Sequence, residues 1–175
     1  MLATRKRPPM SKSELQGHHR VVGLKEAILT SENPWKREPK LKGCAAKGKT
    51  YERTIIRRLE ALIPNLLHAS EWIRYQDASC EGTRWRFAQP DAYILCDRWI
   101  WLLEVKRTQT SLAGSQMRYL YEPLLKKLYP GLPIIKVQVC KNLRTVPENE
   151  ITRLREATSP DVIYTYHCVG EVFNI

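Results

Sequence analysis

The segment "AYILCDRWIWLLEVKRTQT", residues 92–110, constrains the fold more than any other stretch. Two runs of large apolar residues flank Cys96-Asp97-Arg98, so the spacing predicts a hairpin pairing Asp91–Leu95 with Trp99–Lys106. Strands this apolar belong inside a protein, yet the second one ends in charge. Side chains alternate across a strand, so Glu104 and Lys106 point to one face, one step apart. Burying either costs several kcal/mol unless something pairs with it. The two either pair with each other or form part of a site.

The flanking sequence supplies the other layers. A helix is expected from near Thr50 to before Pro64, with Tyr51, Ile55, Ile56, Leu59, Leu62 and Ile63 in one apolar stripe. Arg53, Arg57 and Glu60 lie opposite. Short strands are expected at Trp72–Tyr75 and Arg84–Ala88, a helix over Gln116–Tyr129 ended by Pro130-Gly131, and an apolar strand at Ile134–Cys140. A short helix at Glu148–Ala157 and a strand at Val162–Val169 complete the chain. This order describes an α/β domain, a mixed β-sheet flanked by helices. Residues 1–42 carry four prolines, many charges and weak periodicity, and read as a largely extended arm with a short helix near Val22–Leu29.

Charge separates the two parts. Residues 1–50 hold 12 basic and 4 acidic residues, so most of the net +11 sits there. A basic N-terminal arm of this kind suits nucleic acid, and also suits a solubilising tail. No apolar run approaches the roughly 18 residues that span a bilayer, and "MLATRKRPPM" has no apolar segment behind its charges, so no membrane partner or secretory leader is expected. Five cysteines without a C-x-x-C pair argue against both a disulfide framework and a zinc cluster, and for a reduced, cytoplasmic protein. His18-His19 and His167-Cys168 lack a second pair at ligand spacing.

The acidic residues are the informative ones. With its turn at 96–98, the hairpin sets Asp91 opposite residue 103 or 104, hence beside Glu104. Glu52 falls near the middle of the apolar stripe of its helix. It is either a third member of that cluster or a glutamate favoured near a helix start by the macrodipole. Two unit charges ~4 Å apart interact by ~4 kcal/mol at an effective dielectric of 20. Lys106 offers one positive charge against three negatives. A hard divalent ion closes the gap, and oxygen ligands select Mg²⁺, Mn²⁺ or Ca²⁺ over zinc. In "RWRF" arginines and aromatics alternate, giving either a phosphate-binding face at Arg84 and Arg86 or an ordinary solvated one.

These residues match a known pattern. "QPD" at 89–91, thirteen residues before "EVK" at 104–106, resembles the PD-(D/E)XK nuclease motif. "KGKTYER", Lys47 to Arg53, resembles the Lys-Gly-x-x-x-Glu-Arg opening of archaeal-type Holliday junction resolvases. Gln116, followed by Tyr119 and Tyr121, is similar to a glutamine-then-tyrosine feature of nucleases like the RecB domain, at a different spacing. The longer stretch between helix and hairpin, with "SCEGTRWRFA", and the basic arm depart from the pattern.

The resemblance implies a restriction-endonuclease-like core over residues 43–175 and a Mg²⁺- or Mn²⁺-dependent DNA endonuclease, structure-selective and acting as a homodimer. It implies Glu52, Asp91, Glu104 and the Val105 carbonyl as metal ligands, Lys106 beside the nucleophile, and Gln116 as an accessory catalytic group. Lys47, Lys49, Arg53, Arg57, Arg84, Arg86 and Arg107 would contact DNA phosphates. Recombination or repair, in a virus or mobile element, would suit so compact an enzyme. The alternatives are another nuclease of the superfamily (a nickase, an exonuclease or a restriction-like enzyme) and a non-catalytic basic nucleic-acid-binding protein. A plain strand-end salt bridge between Glu104 and Lys106 explains those two residues and leaves Glu52 aside.

Overall fold

A computed structural model describes residues 20–34, 41–78, 80, 84–142 and 163–166. In chain order the elements are β1 (Glu26–Thr30), α1 (Gly43–Leu62), β2 (Leu67–Ala69), β3 (Trp72–Gln76), β4 (Arg86–Ala88), β5 (Ala92–Leu95) and β6 (Ile100–Thr108). There follow α2 (Ser111–Gln116), a π-helical turn (Met117–Tyr121), α3 (Glu122–Leu128), β7 (Ile134–Asn142) and β8 (Ile163–Tyr166). The helix expected at 148–157 lies outside the described residues.

The five-stranded sheet runs β2-β5-β6-β7-β8, and a smaller antiparallel sheet runs β1-β3-β4. The hairpin forms as the apolar runs dictate: β5 pairs antiparallel with β6, Ala92 opposite Leu103 and Leu95 opposite Ile100. Beyond it β6, β7 and β8 run parallel. A parallel pair needs a crossover, and here the crossover is the helical stretch from Ser111 to Leu128.

Strand β6 is covered on both faces, which explains its continuous apolar character. Leu103 and Val105 pack with Ile55, Ile56 and Leu59 of α1 in one cluster. Ile100 and Leu102 face the other way, onto Met117, Leu120, Leu124 and Leu125 of the crossover and onto Ile73 and Tyr75 of the small sheet. Leu59 is 1% exposed at the centre of the α1 contact. Leu59→Ala is expected to cost about 2–5 kcal/mol, read as a lower urea midpoint with unchanged slope.

Three expectations are corrected. The stretch near Val22–Leu29 is not helical: Glu26–Thr30 is a strand, paired antiparallel with β3 from Glu26 opposite Gln76 to Thr30 opposite Trp72. Residues 26–30 therefore belong to the folded body, with Ala27 in the core. Helix α1 begins at Gly43, where φ is +59°, well before Thr50. The crossover helix starts at Ser111, capped by the Thr110 hydroxyl, which accepts the Leu112 N–H. Pro123 has no N–H to give the Tyr119 carbonyl, and the chain widens into a π turn just ahead of it, with the Glu122 N–H bonded to the Met117 carbonyl five residues back. The helix ends where Pro130-Gly131 requires, and Gly131 holds a φ of +89°.

Candidate active site

The hairpin register runs to Ala92 opposite Leu103, which leaves Asp91, the next residue, at the Glu104 end of β6. Asp91 is fixed from two directions. Its Oδ2 accepts the Val105 N–H at 2.8 Å. Its carbonyl accepts the N–H of Ser70 at 3.1 Å, and the Ser70 carbonyl in turn accepts the Gln89 amide at 2.6 Å. Ser70 holds this position at a φ of +55°, a strained value for a residue with a Cβ.

Glu104 is 1% exposed, and its Oε2 is buried with no hydrogen-bond partner. Lys106 Nζ lies 2.5 Å from Glu104 Oε1 and 3.3 Å from Asp91 Oδ2. Burial, followed by the charge of Asp91, pushes the Glu104 carboxyl up to about 8. For Lys106 burial would lower the ammonium's pKa, but Asp91 and Glu104 outweigh it and the net shift is upward. An ammonium thus bridges the two carboxylates.

Glu52 reaches the cluster from α1. Burial and then the charge of Asp91 raise its pKa, and Lys106 acts on it in the opposite sense. Its side chain forms an ion pair with Lys49, one turn earlier. Two lysines, Lys49 and Lys106, thus face the three carboxylates, where one was expected. No three His, Cys, Asp or Glu side chains among the described residues stand at metal-binding spacing. The donor chemistry still suits a hard cation, since Asp91 and Glu104 present carboxylate oxygens and Oε2 of Glu104 lacks a partner.

Two further groups meet the cluster. Tyr121 is buried, and its phenol is raised well above the usual range by burial and then by the charges of Glu104 and Asp91. In an unbroken α-helix the residue in line with Gln116 would be Leu120; the π turn inserts one residue and brings Tyr121 round instead. Gln116 itself closes α2 and is half-buried. Gln138, absent from the sequence expectations, stands beside Glu104 in the β6–β7 register. It is buried, and its amide donates to the Thr110 carbonyl at 3.2 Å, tying the start of α2 to the site. The signal was available: one amide inside the apolar run "PIIKVQVC".

The expected phosphate contacts divide. Arg53 and Arg57 are exposed on α1, and Arg84 is exposed just ahead of β4. Lys49 is engaged with Glu52. Arg86 lies opposite Tyr75 in the β3–β4 pair, on the face turned to the core, while Phe87 takes the other face. The sequence could not say which face of so short a strand was buried. Arg74 stacks its guanidinium over Trp85 on that outer face, 4.4 Å from the ring centroid. Lys47 and Arg107 line a cavity on the flank of α1.

No family model matches the chain, and no curated protein matches it. A solved structure, protein VC1899 from Vibrio cholerae, is similar at 18% identity and a TM-score of 0.38, over 67% of this chain and 29% of that one. The chain therefore spans under a third of that protein's length. Among the described residues no helix is long and apolar enough to cross a membrane.

Proposed function

We propose that this chain is a divalent-metal-dependent nuclease that hydrolyses DNA phosphodiester bonds, built on a restriction-endonuclease-like core with a basic N-terminal arm. The observation that supports it most is the Glu104 carboxylate, buried beside Asp91 with one oxygen unpartnered. A fold gains nothing in stability from such a group. Active sites are where such groups occur.

Asp91 and Glu104 would hold Mg²⁺ or Mn²⁺ with the Val105 carbonyl, and Glu52 would complete the set only on leaving its ion pair with Lys49. Bound there, the ion would offset charge on the phosphate oxygens and acidify a water. The Val105 N–H and Ser70 keep Asp91 in place while this happens. Lys106 stays protonated between its carboxylates, so its role is that of a hydrogen-bond donor to phosphate or nucleophile, not a base. Tyr121, buried within reach of the charges of Glu104 and Asp91, would form the inner wall of the site. Gln138 positions α2 against the site, and Gln116 is the accessory group on that helix. Resolution of a branched junction would need two coordinated cuts and hence a two-fold dimer.

A second reading is favoured by one feature: Lys106 already neutralises Asp91 and Glu104, as in a non-catalytic nucleic-acid-binding protein. Cleavage of a four-way junction, a matched duplex and a single strand, each with Mg²⁺ and with EDTA, separates the readings. Metal-dependent cutting of the junction above the linear controls is expected. Binding without cutting in every lane would leave the second reading standing.

A further inference from the structure

We infer that the flank of α1 and the carboxyl ends of β6 and β7 form a groove that grips the sugar–phosphate backbone of the DNA next to the carboxylate cluster. This rests on the nuclease reading and extends it from chemistry to substrate path.

The groove is an open cavity of 610 Å³, with Tyr51 and Ile55 among its lining residues. Four cations line it: Lys47 and Arg58 from α1, Arg107 from β6 and Lys141 from β7. Among the described residues no carboxylate lines it. Arg58 and Lys141 were not among the expected phosphate contacts. Arg107 and Lys141 stand opposite each other in the parallel β6–β7 register, on the same face as Val105 and Val139, which is the face α1 covers. Thr50 and Thr54 also line the cavity, but their hydroxyls donate back to the carbonyls of Ala46 and Thr50. The donors a ligand would meet first are therefore cationic, so the ligand is an anion.

Length and position identify that anion. Lys47 and Arg58 are eleven residues apart on one helix, about 16 Å at 1.5 Å per residue. One phosphate cannot bridge that distance. Consecutive phosphates of a strand can, since duplex DNA carries one charge per ~3.4 Å of axis on each strand. Arg107 follows Lys106 directly in the chain, their side chains on opposite faces of β6. A strand running over the end of β6 would pass from the groove on one face to the Lys106 cluster on the other.

The test is the Arg58→Glu/Lys141→Glu double variant. Neither residue belongs to the catalytic cluster, and Lys141 and Arg58 are both exposed. The control is Arg98→Glu at the far, turn end of the hairpin. Affinity for a labelled duplex is measured by anisotropy across a salt series, with unfolding midpoints confirming that each variant is folded. The double variant is expected to bind at least tenfold more weakly than the control. Its log K against log salt should flatten by about two, one per lost phosphate contact. Equal affinities in double variant and control would overturn the groove, as would tripolyphosphate that binds the unaltered chain but not the double variant and leaves the duplex bound, which would mark a small-anion site. Should the unaltered chain bind DNA through the groove but cut nothing with Mg²⁺, the nuclease reading fails while the groove stands.

Discussion

Asp91→Asn is expected to lower DNA cleavage by three orders of magnitude or more while leaving DNA affinity unchanged or improved. The variant changes one oxygen for an amide and little else. An asparagine carbonyl can still accept the Val105 N–H, which Asp91 Oδ2 takes at 2.8 Å, so the hairpin end keeps its geometry. What disappears is one negative charge from the pair that Lys106 bridges. The remaining carboxylate, Glu104, would then hold a divalent ion with far weaker attraction. A negative charge beside the phosphate is lost as well, which favours binding. Loss of affinity in parallel with loss of cleavage would instead indicate that Asp91 maintains the fold. Undiminished cleavage would remove Asp91 from the chemistry.

Glu104→Gln is expected to remove cleavage and yet stabilise the metal-free protein at alkaline pH. Glu104 titrates near 8 in the folded chain because it is buried beside Asp91, against an ordinary value of 4.5. Between those values the unfolded chain has released the proton and the folded chain still holds it. Stability must then fall as pH rises from about 4.5 to about 8, and level off above. The full span corresponds to several kcal/mol, since each unit is worth about 1.4 kcal/mol. Glutamine neither titrates nor carries charge, so that slope disappears. In EDTA, the melting temperature of the variant should exceed that of the unaltered chain by about 5–10 °C at pH 8.5, and match it near pH 5. Equal melting curves at both pH values would show that the Glu104 carboxylate is not held at a cost. A gain in stability with a loss of activity is the pattern expected where a charge is retained for function.

The parts that sequence reasoning found are those written in local pattern. Two apolar runs around a short turn gave the hairpin, and the period of 2 gave the pairing of Asp91 with Glu104. The stripe through Ile55, Ile56 and Leu59 gave α1 and turned Glu52 toward the sheet. The parts that escaped depend on distant partners or on fine geometry. Strand β1 is five residues long and finds its partner, β3, more than forty positions later, so nothing local marks it. The first two turns of α1, "GCAAKGK", have no apolar stripe to announce them. Propensity does not distinguish a bond to the fourth residue from one to the fifth, so the π turn and the arrival of Tyr121 at the site were not legible. The same holds for the pair of Lys136 with Glu122, both in segments read as apolar. Lys136 is wholly buried, its ammonium 2.6 Å from the carboxylate, and it locks α3 onto β7. Its pairing depends on a register set by the whole crossover. Lys49 was counted as a phosphate contact because its role depends on the rotamer of Glu52, one turn away.

To act as proposed, the Asp91–Glu104 pair must exchange its ammonium for a divalent cation. Crystals of the protein soaked in Mn²⁺ above pH 8, with data collected at the manganese edge, address this directly. An anomalous peak is expected within coordination distance of carboxylate oxygens from both residues, with Lys106 Nζ displaced from between them. Crystals without that peak, in which the ammonium still bridges the two side chains, would contradict the proposal.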